Sequence, residues 1–292
     1  MEKLLPGKVV QLTVVREAPF GFFLSSGKQD VLLHESQIVS ELEPGKTIDV
    51  FLYRDREGRL AATETIPDVR IGSFGWCKVT DIKSGLGVFI DIGIGRDVLL
   101  HENDLPKVQR VWPDIGGKLY CTLKLDKYDN LLAKLANEKD MEPLFKRASK
   151  DVFNRDVEGI VYRTLRSGTF VITEEGYRGF IHESQRGQEP RIGSNVRGRV
   201  IGVKDDGTVN VSLLPRSYEA IAIDADKIYR YLLERGGTMP YTDKSRPEDI
   251  EKRFGMSKAA FKRAIGRLMK EKKIVQENGW TKITARENNE QS

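Results

Sequence analysis

Apolar and polar residues alternate over short runs through the first two thirds of the chain. "GKVVQLTVV", "GWCKVTDI" and "GIVYRTL" each open at a glycine and carry the period-two pattern of a half-buried strand. After each comes a glycine and a longer apolar stretch: "FGFFLSSGKQDVLLHES", "LGVFIDIGIGRDVLLHEN" and "GTFVITEEGYRGFIHES". A further strand-like run follows, "PGKTIDVFLYRD", "GGKLYCTLKLD" and "IGSNVRGRVIGV", and a last short one closes each unit. The pattern predicts five short strands per unit, separated by Gly, Asp and Asn turns. Five strands in about sixty to seventy residues are too few for a sandwich. They fit a small closed barrel, in which closure removes the exposed sheet edges.

The three histidines of the chain, His34, His101 and His182, occupy the same place in the three units. They are 67 and 81 residues apart, and the interval from the preceding glycine is 13 residues in the first copy (Gly21) and 14 in the others (Gly87, Gly168). That period is too long for a solenoid, so the copies read as tandem domains. Between the second and third copies, "NEKDMEPLFKRASKD" is charged and lacks alternation. It reads as a linker helix docked weakly through Leu144 and Ala148, four residues apart.

After Leu214-Pro215 the period becomes helical. "ADKIYRYLLERGG" predicts a helix with Ile228, Tyr231 and Leu232 on one face and a glycine stop. "SRPEDIEKRFG" has Pro247 and two acids in a first turn and ends at Gly255. Ser257 caps "SKAAFKRAIGRLMKEKK", whose buried stripe is Phe261, Ala264, Ile265 and Leu268. Asn278-Gly279 then joins two strand-like halves as a two-residue hairpin turn. The domains read as barrels over 1–65, 66–138 and 155–216, a linker helix over 139–154, and a helical domain with a hairpin over 217–292.

Charge adds one asymmetry. Lys and Arg number 48 against 43 Asp and Glu, and the surplus of five lies wholly from Ala220 onward, where 16 face 11. A local positive field favours a polyanion, although so small a surplus is common on ordinary surfaces. No run reaches the roughly eighteen apolar residues of a membrane span, and the N-terminus lacks the form of a secretory signal. Cys77 and Cys121 sit in strand-like runs without metal-ligand spacing, so a reduced, cytoplasmic protein is expected.

The repeated unit resembles the S1-type RNA-binding domain, an OB-fold barrel. The likeness rests on the glycine-aromatic second strand, the third strand ending in "VLLHES", "VLLHEN" or "GFIHES", and the aspartate before a glycine turn. It covers residues 4–65, 70–136 and, most loosely, 155–214. Residues 222–286 resemble a winged helix. Three such barrels and a winged helix in one chain resemble the bacterial conserved virulence factor B (YitL-like) family. That resemblance implies a mostly β multidomain protein, cytoplasmic and RNA-binding, which influences expression of other genes, virulence genes in some hosts.

In S1-type domains the positions matching Phe20, Phe23, His34, Asp55 and Arg59 hold single-stranded RNA. Flat side chains for stacking beside polar groups for the backbone suit that task. Gly21, lying between Phe20 and Phe23, is expected to permit a bulge that brings both rings to one surface. Phe22 is expected to face inward, and Phe23 can equally be core. His34 can stack on a base or simply fix the following turn, with Ser36 as its cap.

The second unit keeps Phe89, His101 and Asp126, with Leu86 and Asn130 at the first-aromatic and arginine positions. The third keeps Phe170 and His182, with Ser167 and Thr208 at those positions, and its aspartate position falls on Lys204 or Asp205. The third unit also carries Arg163, Arg166, Arg178, Arg197 and Arg199, suited either to phosphate contact or to a solvated face. On the winged helix, Lys258, Lys262, Arg263, Arg267 and Lys270 are expected to point outward beside the Trp280 hairpin, toward nucleic acid or a protein.

No acid cluster suits two metal ions, no phosphate loop is present, and "HES" lacks the second histidine of a zinc motif. No catalytic residue, metal or cofactor is expected, and single-stranded RNA is the expected partner of a monomer away from membranes. The alternatives are a duplex-DNA regulator acting through the winged helix, or an accessory to an RNA-processing nuclease.

Overall fold

The computed structural model describes residues 3–284. Two compact units divide the chain, one running to Leu214 and the other starting at Pro215. The first unit holds three closed five-stranded barrels. Barrel one is built from β1 (Val9–Ala18), β2 (Gly21–Ser25), β3 (Asp30–His34), β4 (Thr47–Arg54) and β5 (Leu60–Thr63). Barrel two uses β6 (Gly75–Lys83), β7 (Gly87–Asp91), β8 (Asp97–His101), β9 (Lys118–Leu125) and β10 (Leu131–Leu135). Barrel three uses β11 (Asp156–Leu165), β12 (Gly168–Thr173), β13 (Arg178–His182), β14 (Asn195–Val203) and β15 (Val209–Ser212). In barrel one the order is β1-β2-β3-β5-β4, antiparallel except for the β3–β5 pair, and the other two repeat it.

Strand alternation explains how the barrels join. In β4, Val50 and Leu52 point into the core of barrel one. Phe51, between them, must point outward, yet it is 0% exposed because it packs into the core of barrel two. Tyr53, the next outward residue, follows it. Arg54 Nε donates to the Asp129 carbonyl at 3.2 Å, and Lys3 pairs with the Asp129 carboxylate at 3.0 Å. Barrels two and three are tied by backbone, Lys118 N to Gly193 O at 2.9 Å and Ile192 N to Val111 O at 3.0 Å, around the buried Ile192.

The segment after barrel two corrects the expected linker helix. Only one turn, α1 (Glu138–Met141), is α-helical, capped by Asn137 and Asp140. A 3₁₀ turn with Pro143 follows, and the backbone then extends. Lys146 N donates to Gly176 O and Ala148 N to Gly207 O, so the segment lies as a strap along barrel three. Its anchor is Met141, wholly buried with Tyr162 and Ile172, while Leu144 is partly buried beside them. Glu138 accepts from Tyr162 Oη (3.0 Å), Arg178 Nε (2.7 Å) and Arg163 Nη1 (3.3 Å).

The second unit runs α2 (Ser217–Glu234), β16 (Thr238–Met239), α3 (Pro247–Phe254), α4 (Lys258–Lys270), β17 (Ile274–Glu277) and β18 (Trp280–Ile283). Its sheet order is β16-β18-β17. This is a winged helix whose first helix starts earlier than its apolar stripe indicates. The short β16 escapes sequence reading because two residues cannot show a period. Asn278 and Gly279 both take positive φ, as the hairpin turn requires. The expected limits at 286 and 292 lie outside the described residues. No described helix is long and apolar enough to cross a membrane.

Two expectations follow. Phe51→Ala should destabilise the first unit by about 3–5 kcal/mol, the usual cost of emptying a phenylalanine site. Urea unfolding checks this, and a loss below about 1 kcal/mol would contradict the shared core. Burial works against ionisation of Glu138, but hydrogen bonds from Arg178, Tyr162 and Arg163 outweigh it and hold the carboxyl below its ordinary value of 4.5. The stability this adds is therefore full above that value and is lost as pH falls through the lower folded pKa. Glu138→Gln should cost about 1–2 kcal/mol at neutral pH, partial exposure reducing the full charged-bond contribution. The gap from wild type should close on acidification, which thermal unfolding across a pH series would reveal.

Candidate nucleic-acid interface

Each histidine ends a third strand and begins a 3₁₀ turn. The expected cap, Ser36, is instead the second residue of that turn, and His34 itself is the cap. Ser36 N donates to His34 Nδ1 at 3.2 Å, and the same bond joins Asn103 N to His101 and Ser184 N to His182. A backbone N–H can only donate, so Nδ1 must offer its lone pair. The neutral ring then carries its proton on Nε2, away from the turn. Fixing the turn therefore uses only one ring nitrogen, and Nε2 takes no part in the corner.

The glycine that opens each second strand explains the spacing. Gly21 pairs with His34 at φ 141°, and a Cβ there would sit 2.1 Å from Leu33 O. Gly87 repeats this against Leu100 O, and Gly168 approaches Ile181 O. The close approach lets Glu35 N reach Phe20 O at 2.9 Å, fastening the exposed Phe20 beside the histidine. The expected bulge exists, but not at Gly21. It lies across the pair in β1, between Val14 and Arg16, and it recurs between Val79 and Asp81 and between Val161 and Arg163. The extra residue, Val15 in the first barrel, sets Arg16 directly opposite Phe23.

A cation lies over the matching ring of each barrel, a feature the sequence reading missed, and the register accounts for it directly only in Arg16 and Arg163, since Asp81 is the residue opposite Phe89. The Arg16 guanidinium lies 3.8 Å from the Phe23 ring centre, Lys83 Nζ 5.1 Å from Phe89, and Arg178 and Arg163 at 4.9 and 5.8 Å from Phe170. Phe22 packs toward the core of barrel one, as alternation predicts, leaving Phe23 half-buried on the outside. Phe170 is different. It packs with Tyr162, Phe180 and the strap, and the two arginines beside it are held by Glu138.

The aspartates organise turns. Asp55 accepts from Glu57 N, Arg59 N and Arg59 Nε at 2.8–2.9 Å, and Arg59 is also paired with Glu57. Burial opposes the charge on Asp55, yet these bonds from Arg59 and the backbone keep its carboxyl below the usual range. Asp126 does the same with Asn130 and Tyr128 N, and the Asn130 side chain is the main cause of its lowered pKa. In barrel three the backbone closure from Lys204 N to Thr208 O puts Lys204 at the aspartate position. Asp206, two residues on, supplies the carboxylate that accepts from Thr208 N.

The structure brings His34, Asp55 and Arg59 together along one groove of about 800 Å³ in the first unit. Of the third-barrel arginines, Arg197 stays exposed, while Arg199 is half-buried and donates to Asn154 at 3.1 Å. In the second unit Lys262, Arg263, Lys270 and Trp280 are exposed. Lys258 is half-buried, and Arg267 is held by Glu271 at 2.7 Å. Among the described residues no three His, Cys, Asp or Glu side chains are placed to hold a metal.

Comparison with known proteins follows the same division. Residues 6–65 match the S1 domain, 74–134 the CvfB first S1-like domain, 141–215 the second domain of virulence regulatory factor CvfB, and 226–283 the CvfB-like winged helix domain. The uncharacterized protein YitL of Bacillus subtilis is 48% identical over 280 residues, covering 96% of this chain and 94% of that one. Conserved virulence factor B of Staphylococcus saprophyticus is 39% identical over 259 residues, covering 88% and 86%. A crystal structure from Streptococcus pneumoniae, described as a multidomain protein with nucleic acid binding domains, is 36% identical. It aligns over 96% of this chain and 98% of its own with a TM-score of 0.68. On fold, domain order and full-length identity, the chain belongs to the conserved virulence factor B family.

Proposed function

We propose that this protein binds single-stranded RNA without catalysis and regulates gene expression after transcription, as a cytoplasmic monomer. One observation carries the reading. On barrels one and two an outward ring lies under a cation, beside a histidine whose Nε2 is free of the turn it caps. Unpaired bases stack on such rings with little regard to sequence. The ring and His34 supply the stacking face, and Phe20 extends it. Barrel three offers charge instead of a ring, through Arg197 and its neighbours, and the winged helix adds Lys262, Arg263 and Lys270 for phosphates. The barrels at 1–65, 66–138 and 155–216 and the domain at 217–292 then act in series, each weak site raising the effective concentration at the next. The virulence role named for the Staphylococcus relatives fits a regulator that acts through transcripts.

Fluorescence anisotropy with labelled single-stranded RNA tests this on the whole protein. The double variant Phe20→Ala/Phe23→Ala should lose at least about tenfold in affinity, since each stacked base contributes roughly 1–3 kcal/mol. Duplex DNA should fail to displace the RNA. Unchanged affinity in a folded variant, or displacement by duplex at low concentration, would contradict the proposal.

A further inference from the structure

The groove beside His34 does not end with barrel one. Its far wall is the β7–β8 turn of barrel two, from Ile94 to Asp97. A smaller cleft of about 210 Å³ opens beside Phe89, and Tyr53, Ile94, Arg96 and Asp97 line it as well. The surface at His34 and the surface at Phe89 therefore meet at Tyr53 and Arg96. Both walls are fixed in advance by the buried Phe51 and by the Arg54–Asp129 bond.

Arg96 has an unusual environment. Its Nη1 is shut off from solvent and meets no hydrogen-bond acceptor. A buried guanidinium nitrogen without an acceptor opposes folding, so the half-buried Arg96 side chain gains by turning that nitrogen out to an acceptor in the groove it lines. The groove's formal charges cancel, Arg56, Arg59 and Arg96 standing against Asp55, Glu57 and Asp97. A phosphate would gain little net attraction there. A nucleobase edge is neutral, and its paired carbonyl and ring-nitrogen acceptors fit the planar fork of arginine. Beside it, burial and the charge of Asp55 raise the Tyr53 pKa, only partly offset by Arg96, so the phenol stays neutral next to a base.

We infer that Arg96 joins the two barrels into one RNA track by hydrogen-bonding the acceptor edge of a nucleobase seated against Tyr53. This deepens the RNA-binding reading and rests on it. The crossing strand then stacks at Phe20 and Phe23, passes Arg96, and continues to Phe89.

The test is anisotropy with a labelled single strand of mixed sequence on full-length Arg96→Met, at several salt concentrations, beside Phe20→Ala/Phe23→Ala. Arg96→Met should weaken binding about tenfold, the scale of one good base contact, and Arg96→Lys should not restore it. The slope of log affinity against log salt should stay that of wild type. A slope shallower by about 0.7 would mean a phosphate contact and would overturn the base assignment. Full affinity in Arg96→Met, with the Phe20/Phe23 variant weakened, would overturn the inference alone. Full affinity in both would overturn the RNA reading beneath it. The melting temperature of Arg96→Met should equal or exceed that of wild type, because an unpartnered buried donor is removed. A fall would show that Arg96 is committed to the fold and would overturn the inference.

Discussion

In each barrel the second strand meets the third so closely that a carbonyl oxygen occupies the place of a side chain. At Gly21 and Gly87 the missing Cβ would lie 2.1 and 2.2 Å from the carbonyls of Leu33 and Leu100. The histidine corner of the candidate site follows from that approach. It brings Glu35 N to Phe20 O, starts the 3₁₀ turn at once, and commits His34 Nδ1 to capping it. The ring is thereby oriented with Nε2 outward, and the residue before the glycine is fixed next to it. A glycine and a histidine separated by thirteen or fourteen residues are the two ends of one hairpin register.

The corner is common to all three barrels, but their outer faces have diverged. Barrels one and two leave a ring outward with a cation above it, and barrel three closes the same face with its own strap. Met141 fills the space beside Tyr162, and Glu138 takes the arginines that would otherwise stand beside Phe170. Barrels one and two are also locked through Phe51, so the groove between them has two rigid walls. A site made of preset walls spends little binding energy on ordering itself.

The barrels and the winged helix are legible in the sequence because their signals are local. Alternation, glycine turns, Ser257 and Asn278-Gly279 each act within a few residues. What escaped depends on register or on distant partners. The bulge at Val15 decides that Arg16 faces Phe23, and no one-residue slip in β1 announces itself in composition. Arg96 reads as an ordinary turn residue until β4 of another barrel is folded beside it. The strap reads as a helix from sequence because its charge pattern resembles a solvated helix, whereas Met141 and Pro143 answer to the surface of barrel three. Asp55 and Asp126, expected as RNA contacts, turn their oxygens first to the N–H groups of their own hairpins.

On the proposed function, aromatic faces on barrels one and two, and not charge on the winged helix alone, hold the RNA. Photo-crosslinking of a bound 4-thiouridine-containing single strand, with mass-spectrometric mapping of the adducts, decides between them. Adducts are expected at Phe20, Phe23, Tyr53 and Phe89. Adducts confined to the segment from Lys258 to Trp280 would contradict it.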